Sequence, residues 1–341
     1  MFHNSMKKIL FSATTLVAVI SLVLAGCGDD NDSEGASSTE KPLIVVTTNI
    51  LGDVVTNMVG DSFDVETIMP PGSDPHDFQA SAQQVQTMMS ADLLIVNGAN
   101  FEEGMLDVIE NAESDGVMIF EAISVVSQLE GSDDHGHGDH DDHEGHDDHD
   151  DHDGHDDHEG HDHGGIDPHF FTDPAQMAVV AQELSEFLVA NFPDADQGFV
   201  STANDYVKQL QALDSEVEET LSAISSGERL LVTNHAVFAY FADRYSFTVL
   251  GEIIPSSSTL ASASAQQLAS LAEEIKENQV KAIFADASSS DALAQTLADE
   301  VSGVEVINLY TESLGDPGSA GESYIDMIRF NAEAIASALV G

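Results

Sequence analysis

A run of histidines spaced three residues apart is the feature of this sequence with the clearest chemistry. Only Asp, Glu and Gly stand between these histidines, and residues 131–165 contain no apolar side chain that could form a core. Such a segment is expected to be disordered. Imidazole and carboxylate groups bind divalent transition metals, and imidazole suits zinc, copper, nickel and iron. We predict a weak auxiliary metal site in this insert, formed by His137, His140, His143, His146, His149, His152, His155, His158 and His161.

Three further histidines lie outside both the insert and the N-terminal segment. They are His76 in PPGSDPHDF, His169 in DPHFFTDP and His235 in LVTNHAVFAYF. Each follows a predicted strand or lies in a Pro-bearing loop, and open α/β sheets bind ligands at the carboxyl ends of their strands. Singly, each could be a packed or capping histidine. Together they indicate one metal site, which needs a carboxylate or a water as fourth ligand if the metal is tetrahedral zinc.

The elements that would position these histidines alternate between strand and helix. The predicted strands are 43–49, 64–69, 92–97 and 117–120, then 229–234, 247–251, 280–286 and 304–310. The predicted helices are 81–89, 174–191, 265–278, 292–301 and 323–339, and a longer one capped by Asp194 that continues to about Ile224 and ends at Gly227. This alternation predicts an α/β fold with parallel sheets, arranged as a lobe, a helix and a second lobe.

The same pattern divides the chain into segments. We predict a signal peptide at 1–26, a flexible linker at 27–42, a first α/β lobe at 43–192 that contains the insert, a linking helix at 193–226 and a second α/β lobe at 227–341.

The N-terminus has the layout of a secretory signal. Lys7 and Lys8 precede an apolar run of about 16 residues, which is short for a membrane-spanning helix. The run ends in Leu-Ala-Gly-Cys27, which resembles a bacterial lipobox, and Cys27 is the only cysteine. We predict that Cys27 accepts a lipid and tethers an extracytoplasmic protein to the membrane. The alternative is an ordinary cleaved signal followed by an unmodified cysteine.

The formal net charge of −53 excludes binding to nucleic acid or to an anionic membrane surface through charge. The 16 acidic residues between Glu130 and Asp162 account for less than a third of that charge. Two explanations stay open for the rest. One is adaptation to high salt, and the other is attraction of cations.

Four ordered motifs resemble the solute-binding lipoproteins of zinc and manganese ABC importers. They are PGSDPHDFQAS, DPHFFTDP, TNHAVFAYFADRY and YTESLGDPGSAGESYIDMIRFNAEAI, and the His-rich insert lies between the first two, as in zinc members. The resemblance covers nearly the whole chain after Cys27. It implies two α/β lobes joined by a long rigid helix, a metal in the cleft between the lobes, and no enzymatic activity.

The resemblance also implies a set of ligands. His76 and His169 would come from the first lobe and His235 from the second. The family usually has aspartate as fourth ligand in a tyrosine–threonine–aspartate–serine segment, which reads YTES here and puts Glu312 at that position. Water, or Asp74 or Asp77 beside the first histidine, are the alternatives. Three histidines with at most one carboxylate favour zinc, because manganese prefers oxygen ligands.

We therefore predict a monomeric, lipid-anchored extracytoplasmic receptor that delivers Zn²⁺ to the permease and ATPase of an ABC importer. One alternative is a metal storage or buffering protein that uses the insert as its main site. A manganese-type receptor is another. A secreted zinc hydrolase is disfavoured because the sequence has no HExxH motif and no plausible general base beside an open zinc position.

Overall fold

Two parallel four-stranded sheets organise the computed structural model, which describes residues 41–131 and 165–340. Residues from Lys41 onward form one compact unit. The first sheet has the order β2-β1-β3-β4 and the second β6-β5-β7-β8, with every pair parallel. The strands are β1 (Leu43–Val46), β2 (Asp64–Thr67), β3 (Leu93–Val96), β4 (Ile119–Glu121), β5 (Leu230–His235), β6 (Thr248–Ile254), β7 (Ala282–Asp286) and β8 (Glu305–Leu309). The predicted α/β class is confirmed.

Nine α-helices cover the sheets within the described residues. They are α1 (Asn49–Val59), α2 (Ala82–Met89), α3 (Leu106–Ser114), α4 (Pro174–Asn191), α5 (Phe199–Leu221), α6 (Ala239–Tyr245), α7 (Ala265–Glu277), α8 (Ala292–Val301) and α9 (Tyr324–Leu339). Several begin at signals that are visible in the sequence. Ser81 starts α2 with a capping box, Ser264 does the same for α7, and Pro174 is the first residue of α4.

The predicted strand at 43–49 is too long. It ends at Val46, because the side chain of Thr48 accepts a hydrogen bond from the backbone of Leu51 and starts α1. Asn49, expected to end a strand, is the first residue of that helix. Helices α1, α3 and α6 lie between strands, where the alternation predicts helices, but no bounds were predicted for them.

The helix predicted from Asp194 to about Ile224 is wrong at both ends. The helix begins at Phe199 and has no capping side chain. It does not start earlier because Asp196 Oδ1 accepts a hydrogen bond from the backbone of Gly198, which holds residues 196–198 in a turn. It ends at Leu221, and Gly227 lies in a separate 3₁₀ turn, Ser226–Glu228. The segment 193–226 is therefore helical only in its middle, over about 35 Å.

Helix α5 joins the two halves of the molecule through packing. It packs against α1, α4 and α9. Its buried stripe includes Tyr206, Leu210, Leu213 and Val217. The largest apolar core runs without interruption from β1 through α5 to α9. Because close-packed cores resist deformation, the two sheets form fixed walls for whatever lies between them.

No helix in residues 41–131 and 165–340 is long and apolar enough to cross a membrane. The predicted signal peptide at 1–26, the lipid acceptor Cys27 and the nine insert histidines lie outside the described residues.

Candidate metal centre

Four residues predicted from the sequence as metal ligands lie together between the two sheets. One ligand atom each of His76, His169, His235 and Glu312 lies within 4.8 Å of the others. All four side chains are buried. The Nε2 atoms of the imidazoles converge on the Glu312 carboxylate at 2.8 Å for His235, 3.3 Å for His169 and 3.6 Å for His76.

Three of the four residues lie at the end of a strand or in the loop that follows one. His235 is the last residue of β5, and Glu312 follows the end of β8 by three residues. His76 lies in the loop after β2, and His169 precedes the short 3₁₀ turn before α4. In an open parallel sheet such positions lie at the carboxyl ends of the strands, where ligands bind.

Carboxylates orient the two histidines of the first half. Asp167 Oδ1 lies 2.7 Å from Nδ1 of His169, and Glu103 Oε1 lies 3.0 Å from Nδ1 of His76. A carboxylate accepts a hydrogen bond from a protonated Nδ1, and in the neutral imidazole this leaves the lone pair on Nε2. Both Nε2 atoms are buried without a hydrogen bond of good geometry to any described residue. They are therefore aimed at the common centre and available to a cation.

The charges of this group are strongly coupled. Burial lowers the pKa of His169, but the nearby carboxylates of Asp167 and Glu312 outweigh burial and raise the pKa to about 10. Burial raises the pKa of Glu312, but His235 and His169 outweigh it and hold the pKa well below its usual range. In the metal-free protein Glu312 is thus ionised and His169 is held in its positively charged form, so a metal has to displace the proton on Nε2.

The segment that carries Glu312 is fixed to the first half of the molecule by Asn49. The Asn49 side chain donates to Ser313 Oγ at 2.8 Å and accepts from the backbone of Leu314 at 2.8 Å. The backbone of Gly72, in the loop that carries His76, donates to the same Ser313 hydroxyl at 2.8 Å. Asn49 and Ser313 are both buried.

The two acids beside His76, which are alternative fourth ligands, do not join the group. Asp74 Oδ1 accepts from the backbone N–H of His76 at 2.9 Å, and its Oδ2 accepts from Thr259 Oγ1 at 2.7 Å. Asp77 is exposed. The buried Asp286, at the end of β7, bonds to Thr311 beside Glu312.

Sequence reasoning missed Glu103 and Asp167. A signal for Asp167 exists, because the tripeptide Asp-Pro-His occurs twice. In both copies the Asp side chain accepts from the backbone N–H of the histidine at 2.9 Å, an Asx-type turn. Only Asp167 also reaches its own histidine ring. At His76 the ring partner is Glu103, 27 residues further along the chain, and no local pattern indicates that pairing.

A cavity of about 370 Å³ connects the group to solvent on the side of His76. Glu103 and Ser258 line it, together with Gly165 and Ile166 at the edge of the insert. The other three residues of the group do not line it. A larger groove of about 610 Å³, between β6 and α7, contains none of the four.

The family described as ZnuA, zinc-uptake complex component A, periplasmic, matches residues 44–338, which is most of the chain. The protein belongs to this family. The predicted resemblance is thereby confirmed. A structural relative agrees with it: the periplasmic zinc-binding protein TroA from Treponema pallidum superposes with a TM-score of 0.74 at 25% identity, covering 88% of this chain and 100% of TroA.

Curated relatives of the ZnuA-family protein carry two different metals in their names. The manganese ABC transporter substrate-binding lipoprotein PsaA of Streptococcus anginosus is 26% identical over 342 residues, covering 98% of this chain and 99% of PsaA. The zinc-binding lipoprotein AdcA of Streptococcus pneumoniae is 29% identical over 332 residues, covering 97% of this chain and 60% of AdcA.

Membership defines the class of function. The protein is a substrate-binding receptor for a divalent metal, works with the membrane permease and ATPase of an ABC importer, and is not an enzyme. Because the names divide between manganese and zinc, the choice of metal has to be argued from the ligands.

Proposed function

We propose that the protein is an extracytoplasmic receptor that binds Zn²⁺ through His76, His169, His235 and Glu312 and delivers it to an ABC importer. The observation that carries this proposal is the donor set: three imidazole nitrogens and one carboxylate, buried and mutually within 4.8 Å. Zinc takes four nitrogen or oxygen ligands in a closed tetrahedral site when it is held rather than used in catalysis.

Manganese is the second candidate because several relatives are named for it. Manganese prefers oxygen donors. Glu312 is the one carboxylate of the four-residue group. The other nearby acids, Glu103 and Asp167, face the Nδ1 side of their histidines rather than the centre. This arrangement favours zinc.

We propose Cys27 as the point of lipid attachment to the cell membrane and a monomer as the working form. The first proposal follows from the lipobox-like sequence, and it is supported by relatives that are named lipoproteins. It places the metal site outside the cytoplasm, on the side from which an importer takes its substrate.

The insert is proposed to collect metal for the buried site. Its described flanks meet each other: Glu130 and Ile166 form an antiparallel bridge, and the backbone of Gly131 donates to that of Gly165 at 2.8 Å. Gly165 and Ile166 also line the cavity that reaches His76. The chain thus leaves and rejoins the fold at the solvent side of the four-residue group.

Zinc titration of the mature protein, with and without residues 133–163, tests this function. We expect the shortened protein to keep one tight zinc site per chain. Mn²⁺ should bind at least about 100-fold more weakly, because sites rich in imidazole have a higher affinity for zinc than for manganese. Competition calorimetry against a chelator of known affinity measures both. Loss of all tight binding on deletion would favour a storage protein, and tighter binding of Mn²⁺ would favour a manganese receptor.

Zinc affinity is expected to rise with pH. Because the pKa of His169 in the metal-free protein is raised to about 10, zinc must displace a proton to reach its neutral imidazole. Release of one proton per zinc makes the association constant rise about tenfold per pH unit below that pKa. Calorimetry between about pH 6 and pH 8, in buffers of different ionisation enthalpy, measures the slope and the proton count. A constant affinity without proton release would contradict the assignment of His169.

A further inference from the structure

The loop that carries His76, residues 70–79, contacts the second half of the molecule on two sides. On one side Gly72 meets Ser313 and Leu314, which Asn49 holds in turn. This side is a network around buried Asn49 and Ser313. It ties the His76 loop to the segment that carries Glu312.

On the other side the contacts are few and only part-buried. Thr259 Oγ1 donates to Asp74 Oδ2 at 2.7 Å, and Ser258 lies beside the carboxylate of Glu103. The side chain of Glu103 is 32% exposed, whereas that of Asp167, its counterpart at His169, is 3% exposed. This side borders the 370 Å³ cavity.

The two carboxylates that these residues contact, Asp74 and Glu103, are the same two that orient His76. Asp74 binds the backbone N–H of His76, and Glu103 binds its ring Nδ1. Ser258 and Thr259, adjacent residues of one loop, therefore contact the two carboxylates that orient His76 from across the cavity. Release of these two contacts would free the His76 side of the site while the buried network on the opposite side stays intact.

We propose that Asp74, Glu103, Ser258 and Thr259 form a latch that controls how fast metal enters and leaves the site past His76. This inference rests on the proposed function, because it assumes that His76 is a ligand. It identifies His76 as the ligand exposed first on opening, since His169, His235 and Glu312 are buried away from the cavity.

A latch has a kinetic signature that differs from that of a ligand. If metal passes only through a minor open state, loosening the latch raises the association and dissociation rates by the same factor and leaves their ratio unchanged. Removing hydrogen bonds to charged acceptors shifts such an opening equilibrium by about tenfold or more. Loss of a ligand would instead raise the dissociation rate and weaken the affinity.

The test uses the full mature protein with Ser258→Ala and Thr259→Val combined, and Ser257→Ala as control, since Ser257 lines the same cavity outside the latch. Stopped-flow zinc binding, and release to a chelator, should both accelerate about tenfold or more in the double variant, with Kd changed less than about threefold. The control should match the wild type. Unchanged rates in the double variant would overturn the latch.

Two further measurements separate the latch from the metal site itself. Glu103→Ala should weaken Kd as well as change the rates, unlike the double variant, because His76 loses its ring partner. Hydrogen exchange of the metal-free protein should show faster exchange in residues 72–79 of the double variant. Unchanged exchange would overturn the latch, and this measurement does not require zinc. Absence of zinc binding by the wild type would instead refute the proposed function.

Discussion

Replacing His169 with alanine in the protein that lacks residues 133–163 is expected to weaken zinc binding by well over about 100-fold. His169 is fully buried, its Nε2 faces Glu312 at 3.3 Å, and Asp167 fixes its ring from the other side. Loss of an outer partner of a metal-binding histidine alone costs about 10- to 100-fold in affinity, so loss of the ligand itself must cost more. Competition titration against a zinc chelator measures the effect.

The deletion is needed because the insert histidines would otherwise mask the loss with weak binding of their own. Glu186→Ala, an exposed change on α4, serves as the matched control and should bind like the parent. Thermal unfolding of the metal-free variants checks that His169→Ala is folded. If folded His169→Ala kept the parent affinity, His169 would not be a ligand.

Replacing Glu312 with alanine should have the next largest effect, a loss of zinc affinity of about 100-fold. Glu312 supplies the one carboxylate of the group, and all three Nε2 atoms lie within 3.6 Å of its oxygens. Without it, a dication would have to be balanced by neutral imidazoles in a site shielded from water, where charges are poorly solvated. The proton release on binding should also fall, because Glu312 is one of the two acids that raise the pKa of His169.

Asp316→Ala is the matched control, since this exposed acid lies four residues further along the same loop. Glu312→Asp tests reach: the family usually has the shorter acid here, and partial recovery of affinity would show that the carboxylate rather than its length is essential. Wild-type affinity in Glu312→Ala would assign the fourth position to water and leave Glu312 as a counter-charge for His169.

The ligand candidates could be predicted because histidine is sparse outside the insert and the N-terminal segment. Three isolated histidines beside predicted strand ends leave few arrangements, and YTES near the C-terminus points to Glu312 through the family resemblance. Most strands and long helices were predictable for a similar reason, since a buried strand or an amphipathic helix imposes a period on the apolar residues. The start of helix α1 was missed because its first residues continue the apolar run of β1, and the Thr48 cap lies inside that run.

The outer partners of the histidines could not be predicted because they are a few acids among 62. Glu102 and Glu103 illustrate this. Glu102 is buried, and its carboxylate accepts from Thr47 Oγ1 at 2.6 Å and from the backbone of Asn97 at 2.7 Å, which holds the turn after β3. Its neighbour Glu103 turns to the cavity and binds His76. Of these two adjacent glutamates, Glu102 thus has a structural role and Glu103 positions His76. The difference depends only on which groups the fold places opposite each side chain.

By itself the sequence determined the two-lobe α/β plan and three candidate histidines, because these depend on local periodicity and on a residue type that stands out, while its motifs indicated the family and, through the resemblance, Glu312. The tertiary structure alone decided that Glu312 rather than Asp74 or Asp77 lies with the histidines, that Asp167 and Glu103 aim two of the rings, and that Ser258 and Thr259 hold His76 from across the cavity. Those pairings join residues that are far apart in the chain, such as Asp74 and Thr259, which are 185 positions apart, so they exist only once both sheets have formed on their shared core.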